Sequence, residues 1–227
     1  MFIYLLVLLF LIYIYYDFIK TNKLKKYKEK FNENQSFNSN LEIPIKIYDN
    51  FINKDECNKL IKLCQGRFLQ SSVYGSNQDF IDTKSRSSSN SYFTRGENNL
   101  IKKIENKVSN LLNIKLDQME PLQIVKYEKG QEYKYHYDYF DKESDQNNNQ
   151  RINSILVYLN DLDEEDGGAT HFPLYKCKFI PYKGRAIHWE NIDSNKNLNK
   201  LSLHAGQPIL TDKFKYILTI WTRENSY

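Results

Sequence analysis

From Gln118 onward the chain is a series of short strand-like segments, and this feature limits its fold more than any other. LQIVKYE, YKYHYDYF, INSILVYLN, ATHFP, GRAIHWEN, LSLHAGQPIL and KYILTIWTR follow one another, rich in β-branched and aromatic residues. Turn signals such as Lys129-Gly130, Asp166-Gly167-Gly168 and Lys183-Gly184 separate them. Two helical patterns precede the series. Asn53 can cap KDECNKLIKLC, where Cys57, Leu60, Ile61 and Cys64 make an apolar stripe. ENNLIKKIENKVSNLLN carries Leu100, Ile101, Ile104, Val108 and Leu111 on one face. The expected fold is therefore mainly β with flanking helices (α+β): a double sheet buttressed by two helices.

At 227 residues the chain suits one domain, or one domain with an appendage. Its 41% hydrophobic content excludes a disordered chain, and a net charge of +4 makes no case for nucleic acid. Three cysteines are too few for a disulfide scaffold, and Cys57 and Cys64 lie too far apart along one helix to pair. The appendage is N-terminal. Met1 to Tyr16 is an unbroken apolar and aromatic run, and Asp17 to Ile19 extend it to about the 20 residues that span a bilayer. No charged leader and no small-residue cleavage site accompany it, so residues 1–19 are expected to be an uncleaved transmembrane anchor. Residues 20–42 read as a polar, basic tether, and residues 43–227 as the globular domain. Lysines 20, 23, 25, 26, 28 and 30 would keep the domain cytosolic by the positive-inside rule. The sequon Asn34-Gln35-Ser36 matters only if that side is lumenal.

Four histidines serve the whole chain: His136, His171, His188 and His204. His136 and Asp138 sit two residues apart in a strand-like stretch, where the alternation of side chains puts both on one face. His204 follows in a later segment beside the small pair Ala205-Gly206. Two imidazoles and one carboxylate on one face of an octahedral ion leave three positions open, the arrangement of non-haem Fe(II) oxygenases. The spacing alone also fits a polar strand with an unrelated buried histidine.

The surroundings add to this. LQIVKYEKGQEYKYHYDYF, RINSILVYLND, EEDGGATHFP, YKGRAIHWEN and LSLHAGQPIL, in that order, resemble the prolyl 4-hydroxylase family of 2-oxoglutarate- and iron-dependent oxygenases. DTKSRSSSNSYFTRGENNLIKKIE and the helix at Asp55-Glu56-Cys57 extend the resemblance to roughly residues 43–225. It implies a double-stranded β-helix (jelly-roll) core. It also implies His136, Asp138 and His204 as iron ligands, with Fe(II), 2-oxoglutarate, O2 and ascorbate as cofactors, cosubstrates and reductant. The family binds the far carboxylate of 2-oxoglutarate with a basic residue about ten positions after the last histidine. Phe214 stands there, so Lys215 is the expected anchor if one residue is inserted, with Lys213 the alternative. Tyr127, Tyr133, Thr170 and Trp221 match cosubstrate-pocket positions, and Arg151 and Glu120 match positions near a peptide groove. Arg223 departs from the histidine often found there, and His171 and His188 match no family role.

The implied activity is 4-hydroxylation of peptidyl proline, coupled to decarboxylation of 2-oxoglutarate to succinate and CO2. The same residues also fit a silent module that captures proline-rich peptides, or the same chemistry on a lysyl side chain or a small molecule. Loops 71–90 and 141–150 are expected to decide the substrate. The implied partners are a proline-containing protein and the membrane. The resemblance implies the endoplasmic-reticulum lumen, against the cytosolic side that the lysines favour. Oligomeric state is not legible.

Overall fold

A computed structural model describes residues 44–74, 79–140 and 149–226, within a compact unit that runs Pro44–Tyr227. The expected anchor (1–19), the tether (20–42) with Asn34, and segments 75–78 and 141–148 of the two expected substrate loops lie outside the described residues. Among the described residues no helix is long and apolar enough to cross a membrane.

The N-terminal half supplies β1 (Lys46–Tyr48), α1 (Lys54–Leu63), β2 (Leu69–Gln70), β3 (Val73–Tyr74), β4 (Asp79–Phe80), β5 (Ser89–Phe93) and α2 (Asn99–Leu112). The strand-rich half supplies β6 (Leu122–Tyr127), β7 (Tyr133–His136), β8 (Arg151–Tyr158), β9 (Thr170–Phe172), β10 (Cys177–Phe179), β11 (Ala186–Glu190), β12 (His204–Gly206) and β13 (Lys215–Arg223). A seven-stranded sheet runs β1-β11-β8-β13-β6-β5-β2, and a four-stranded sheet runs β10-β9-β12-β7. Every pairing within both is antiparallel, while β3 and β4 form a separate hairpin. The fold is thus mainly β with two flanking helices, consistent with a jelly roll.

The central strands show why the order is stable. β8 sends Ile155 and Val157 to the core under the helices, and Leu156 and Tyr158 to the core between the sheets. β13 divides Leu218 and Ile220 from Ile217 in the same way. Both strands are covered on both faces, so they read as apolar runs rather than as clean alternation.

Helix α1 forms where its cap predicts. Asn53 Oδ1 accepts from Glu56 N at 2.8 Å and Glu56 Oε2 accepts from Asn53 N at 2.9 Å, a complete capping box. Cys57, Leu60 and Cys64 are fully buried as expected, and both cysteines are free thiols. Burying Leu60 alone stabilises the domain by about 1.5–3 kcal/mol. In α2 the stripe runs Ile101, Ile104 and Val108 but then passes to Leu112, leaving Leu111 39% exposed. A 3.6-residue period carries the buried face four residues on from Val108 rather than three. Glu105 is also buried on this face, where its carboxylate accepts from Gly96 N at 3.0 and 3.2 Å.

Candidate active site

One cleft includes His136, Asp138 and His204 in its lining. His136 ends β7 and pairs across the sheet with His204, which begins β12. Asp138 does not share the strand of His136, as simple alternation requires; it lies in a bend beyond the strand end. The bend nevertheless returns its carboxylate to the imidazoles. Oδ1 is 3.7 Å from His136 Nε2 and Oδ2 is 3.8 Å from His204 Nε2. One ligand atom from each of the three lies within 4.8 Å of the others.

Backbone carbonyls orient both rings. His136 Nδ1 lies 2.7 Å from Lys134 O, and His204 Nδ1 lies 2.9 Å from Ser202 O. A carbonyl only accepts, so each Nδ1 carries the proton and each Nε2 turns its lone pair inward. Tyr133 stacks on His136 with ring centroids 3.5 Å apart, and Trp189 and Phe172 pack on His204 at 4.8 and 5.4 Å. Burial, then the neighbouring His204, holds His136 well below the usual imidazole range. Burial pushes the Asp138 carboxyl up, but the two imidazoles, Arg151 and the Ser154 hydroxyl together bring it below its ordinary value. A neutral His136 and an ionised Asp138 are the states in which each binds a cation.

The inner wall of the cleft carries the opposite charge. Lys215 is 1% exposed, and no carboxylate among the described residues pairs with it; its ammonium lies 5.1 Å from the Tyr127 ring. Burial drives its pKa down from 10.5 to about 7. Lys213 lies instead at the surface, paired with Asp166 at 2.6 Å and Asp163 at 3.3 Å. A Cβ on Gly206 would sit 3.6 Å from the Tyr127 hydroxyl and 3.7 Å from Lys215 Nζ, a volume that glycine leaves open. Thr170 pairs with Gly206 across the sheet, and its Oγ1 accepts from the Tyr158 hydroxyl at 2.8 Å, which leaves its own hydrogen to donate. Burial raises the phenols of both Tyr127 and Tyr133, the latter to about 12, so both stay protonated at neutral pH. Gly167 lets the Pro208 backbone lie against the turn that leads into β9. At its φ of +72° a Cβ would stand 2.3 Å from Pro208 O.

Of the remaining expected residues Trp221 lines the cleft, while Arg151 and Glu120 lie outside its lining and reach it through Trp221. Arg151 Nε and Nη2 each donate to a different oxygen of Glu120 at 2.6 Å, and its guanidinium lies 3.9 Å from the Trp221 ring centroid. Arg223 Nε lies 2.5 Å from the same carboxylate. His171 and His188 are absent from the cleft lining. His171 meets the exposed Tyr135 hydroxyl, and His188 is buried with its Nε2 2.9 Å from Asn153 Oδ1.

Comparison with known proteins matches residues 122–223 to the 2OG-Fe(II) oxygenase superfamily. "Probable prolyl 4-hydroxylase 3" of Arabidopsis thaliana is 32% identical over 202 residues, covering 80% of this chain and 69% of the relative. The chain belongs to the prolyl 4-hydroxylase family. Prolyl 4-hydroxylase 5 of the same plant is 33% identical over 77% of this chain and 66% of its own. The viral collagen prolyl hydroxylase of Paramecium Bursaria Chlorella virus-1, solved with 2OG, superposes with a TM-score of 0.65 at 32% identity, over 79% of this chain and 96% of that one.

Fe(II) and 2-oxoglutarate come with this family, and the residues fit both. Two inward Nε2 lone pairs and a carboxylate suit a divalent iron. A buried lysine without a carboxylate partner among the described residues suits an anion. Sequence reasoning passed over three kinds of residue here. Arg86 lines the cleft, donates to Gln123 at 3.2 Å and lies 4.8 Å from the Tyr133 ring centroid. Trp189 also lines the cleft, and Ser154 touches Asp138. Only Arg86 carried a signal, as a charge inside the polar run TKSRSSSNS, and nothing in that run says it is buried.

Proposed function

We propose that this protein is an Fe(II)- and 2-oxoglutarate-dependent dioxygenase that 4-hydroxylates peptidyl proline, with coupled conversion of 2-oxoglutarate to succinate and CO2. The observation that carries the reading is the pairing, in one cleft, of a His–Asp–His cluster with a buried lysine that has no carboxylate partner among the described residues. Prolyl hydroxylase relatives support the proline substrate.

His136, Asp138 and His204 would hold the iron. When bound, the iron lets O2 oxidise 2-oxoglutarate and transfer the second oxygen atom to an otherwise unreactive C–H bond. The chain's residues supply binding, orientation and exclusion of water. Lys215 would pair with the far carboxylate of 2-oxoglutarate, with the Thr170 and Tyr127 hydroxyls donating beside it. Tyr133, by covering one face of His136, keeps that ring aligned and dry. Arg151, held flat against Trp221 by Glu120, would present a rigid wall to the peptide. Ascorbate is the proposed reductant.

The apolar run 1–16 and the resemblance to prolyl 4-hydroxylases support a membrane-anchored enzyme of the endoplasmic reticulum. Glycan attached at Asn34 would place the tether in the lumen.

Aerobic incubation with Fe(II), 2-oxoglutarate and proline-rich or collagen-like peptides, read by mass spectrometry and succinate release, tests the activity. One oxygen gained on proline with matching succinate is expected, with both lost in His136→Ala. Peptide binding without succinate would indicate a capture module, and oxygen gained on lysine or a free metabolite would remove the prolyl assignment.

A further inference from the structure

Asp138 offers two nearly equivalent oxygens to the metal site, one 3.7 Å from His136 Nε2 and the other 3.8 Å from His204 Nε2. A carboxylate so placed can chelate through both oxygens, which would consume one of the three positions that a bidentate cosubstrate and O2 require. One contact distinguishes the oxygens. The Ser154 hydroxyl donates to Oδ2 at 2.6 Å, and Asn191 Nδ2 donates to Ser154 Oγ at 2.9 Å. Ser154 is 1% exposed and Asn191 is fully buried, so water does not compete for either bond. The serine hydroxyl has two acceptors within reach, Asp138 Oδ2 at 2.6 Å and Asn191 Oδ1 at 3.3 Å, and the nearer, charged carboxylate takes its hydrogen while Asn191 Nδ2 donates to its oxygen.

The same asparagine is tied to a second ligand. Asn191 N donates to Ile152 O, and Asn191 O accepts from Asn199 N, each at 2.9 Å. Asn199 O in turn accepts from the Ser202 hydroxyl at 2.8 Å, and Ser202 O is the carbonyl that orients His204 Nδ1. The β11–β12 connection thus braces Asp138 through a side-chain relay and His204 through a backbone one.

We propose that Ser154 and Asn191 are positioning residues that make Asp138 a one-oxygen ligand: the hydroxyl saturates Oδ2, leaves Oδ1 to the metal and keeps three coordination positions open. The inference rests on the Fe(II)/2-oxoglutarate reading of the site. Neither residue belongs to the His–Asp–His ligand group; both act through Asp138.

Anaerobic Co(II) titration of the full chain, followed by its visible d–d spectrum with and without 2-oxoglutarate, tests it. Ser154→Ala is expected to weaken Co(II) binding about 10- to 100-fold and to alter the spectrum. Ser154→Thr, which keeps the hydroxyl, is expected to restore both. Asn191→Leu is expected to shift affinity and spectrum in the same direction as Ser154→Ala, and it carries the measurement if that variant's metal-free circular dichroism melt shows it unfolded. Wild-type affinity and an unchanged spectrum in Ser154→Ala, with wild type binding Co(II) and responding to 2-oxoglutarate, would overturn this inference alone. Failure of the wild type to bind Co(II) would remove the iron reading, and the inference with it.

Discussion

Replacing Lys215 with methionine separates what that residue does for the fold from what it does for the site. The side chain is 1% exposed, has no carboxylate partner among the described residues, and its pKa is driven from 10.5 to about 7 by burial. At about 1.4 kcal/mol for each pH unit, the charged form costs the ligand-free fold at most about 5 kcal/mol. The cost is full below pH 7 and declines toward pH 10.5, because above 7 the folded chain can release the proton that the unfolded chain keeps. Methionine keeps most of the stem and removes the charge. Buried charges replaced by apolar groups of similar volume commonly give about 1–4 kcal/mol of stability. Taking about 2 kcal/mol, Lys215→Met should raise the melting temperature of the metal-free protein at neutral pH by roughly 4–8 °C. It should also remove the proposed charge partner of the cosubstrate, a loss of about 2–5 kcal/mol, or at least about 30-fold in affinity. Differential scanning calorimetry without metal and isothermal titration of the Mn(II)-loaded protein with 2-oxoglutarate read the two effects. A variant that melts lower, or that keeps wild-type affinity for 2-oxoglutarate, would refute the reasoning.

The same lysine sets a pH dependence. Since the ligand-free ammonium titrates near 7 and a bound dianion would hold it charged, affinity for 2-oxoglutarate should fall by up to about tenfold per pH unit above 7; a flat profile in the wild type between pH 7 and 9 would count against Lys215 as the anchor. Glu120→Gln leaves Arg151 and Arg223 facing a neutral amide where they met a carboxylate, and should cost about 3–5 kcal/mol in denaturant unfolding. Burial pushes the Glu120 carboxyl up, but the two arginines bring it below its ordinary value, so its stabilisation is present at neutral pH and lost on acidification. His188, pushed down from 6.5 to about 4 by burial, is held neutral in the fold, so stability should decline as pH falls from 6.5 toward 4. His188→Phe should flatten that decline, and an unchanged acid profile in the variant would show that another group governs it.

Much of this was legible in the chain. Helix α1 could be read from the cap at Asn53 and the apolar stripe behind it, because both are patterns among residues three or four apart. The strands from Leu122 onward, β10 excepted, were legible from their turns and β-rich composition, and the metal-site candidates from the scarcity of histidine. The strands before α2 were not. β5 is SNSYF, a polar segment that becomes a strand by pairing with β6, with Asn90 and Ser91 buried there. Ser154 and Asn191 were invisible for the same reason. A serine in INSILVYLN and an asparagine after HWE look like edge or loop residues until strand pairing sets Ser154 between Trp189 and Trp221.

Local chemistry, carried by residues near one another in sequence, was therefore determined by the sequence alone: the caps, the turns, the strand periodicity, and the residue types able to bind a metal and an anion. Two matters needed the tertiary structure. Lys213 and Lys215 have the same parity before and within one strand, and only the packing of β13 against β6 and β8 sends one to the surface acids and the other into the cleft. Asp138 reaches the histidines through a bend rather than through strand alternation, and its second oxygen is taken by a serine sixteen residues away. Burial and pairing between distant strands are properties of the assembled sheets, and they turn an ordinary set of polar side chains into one site.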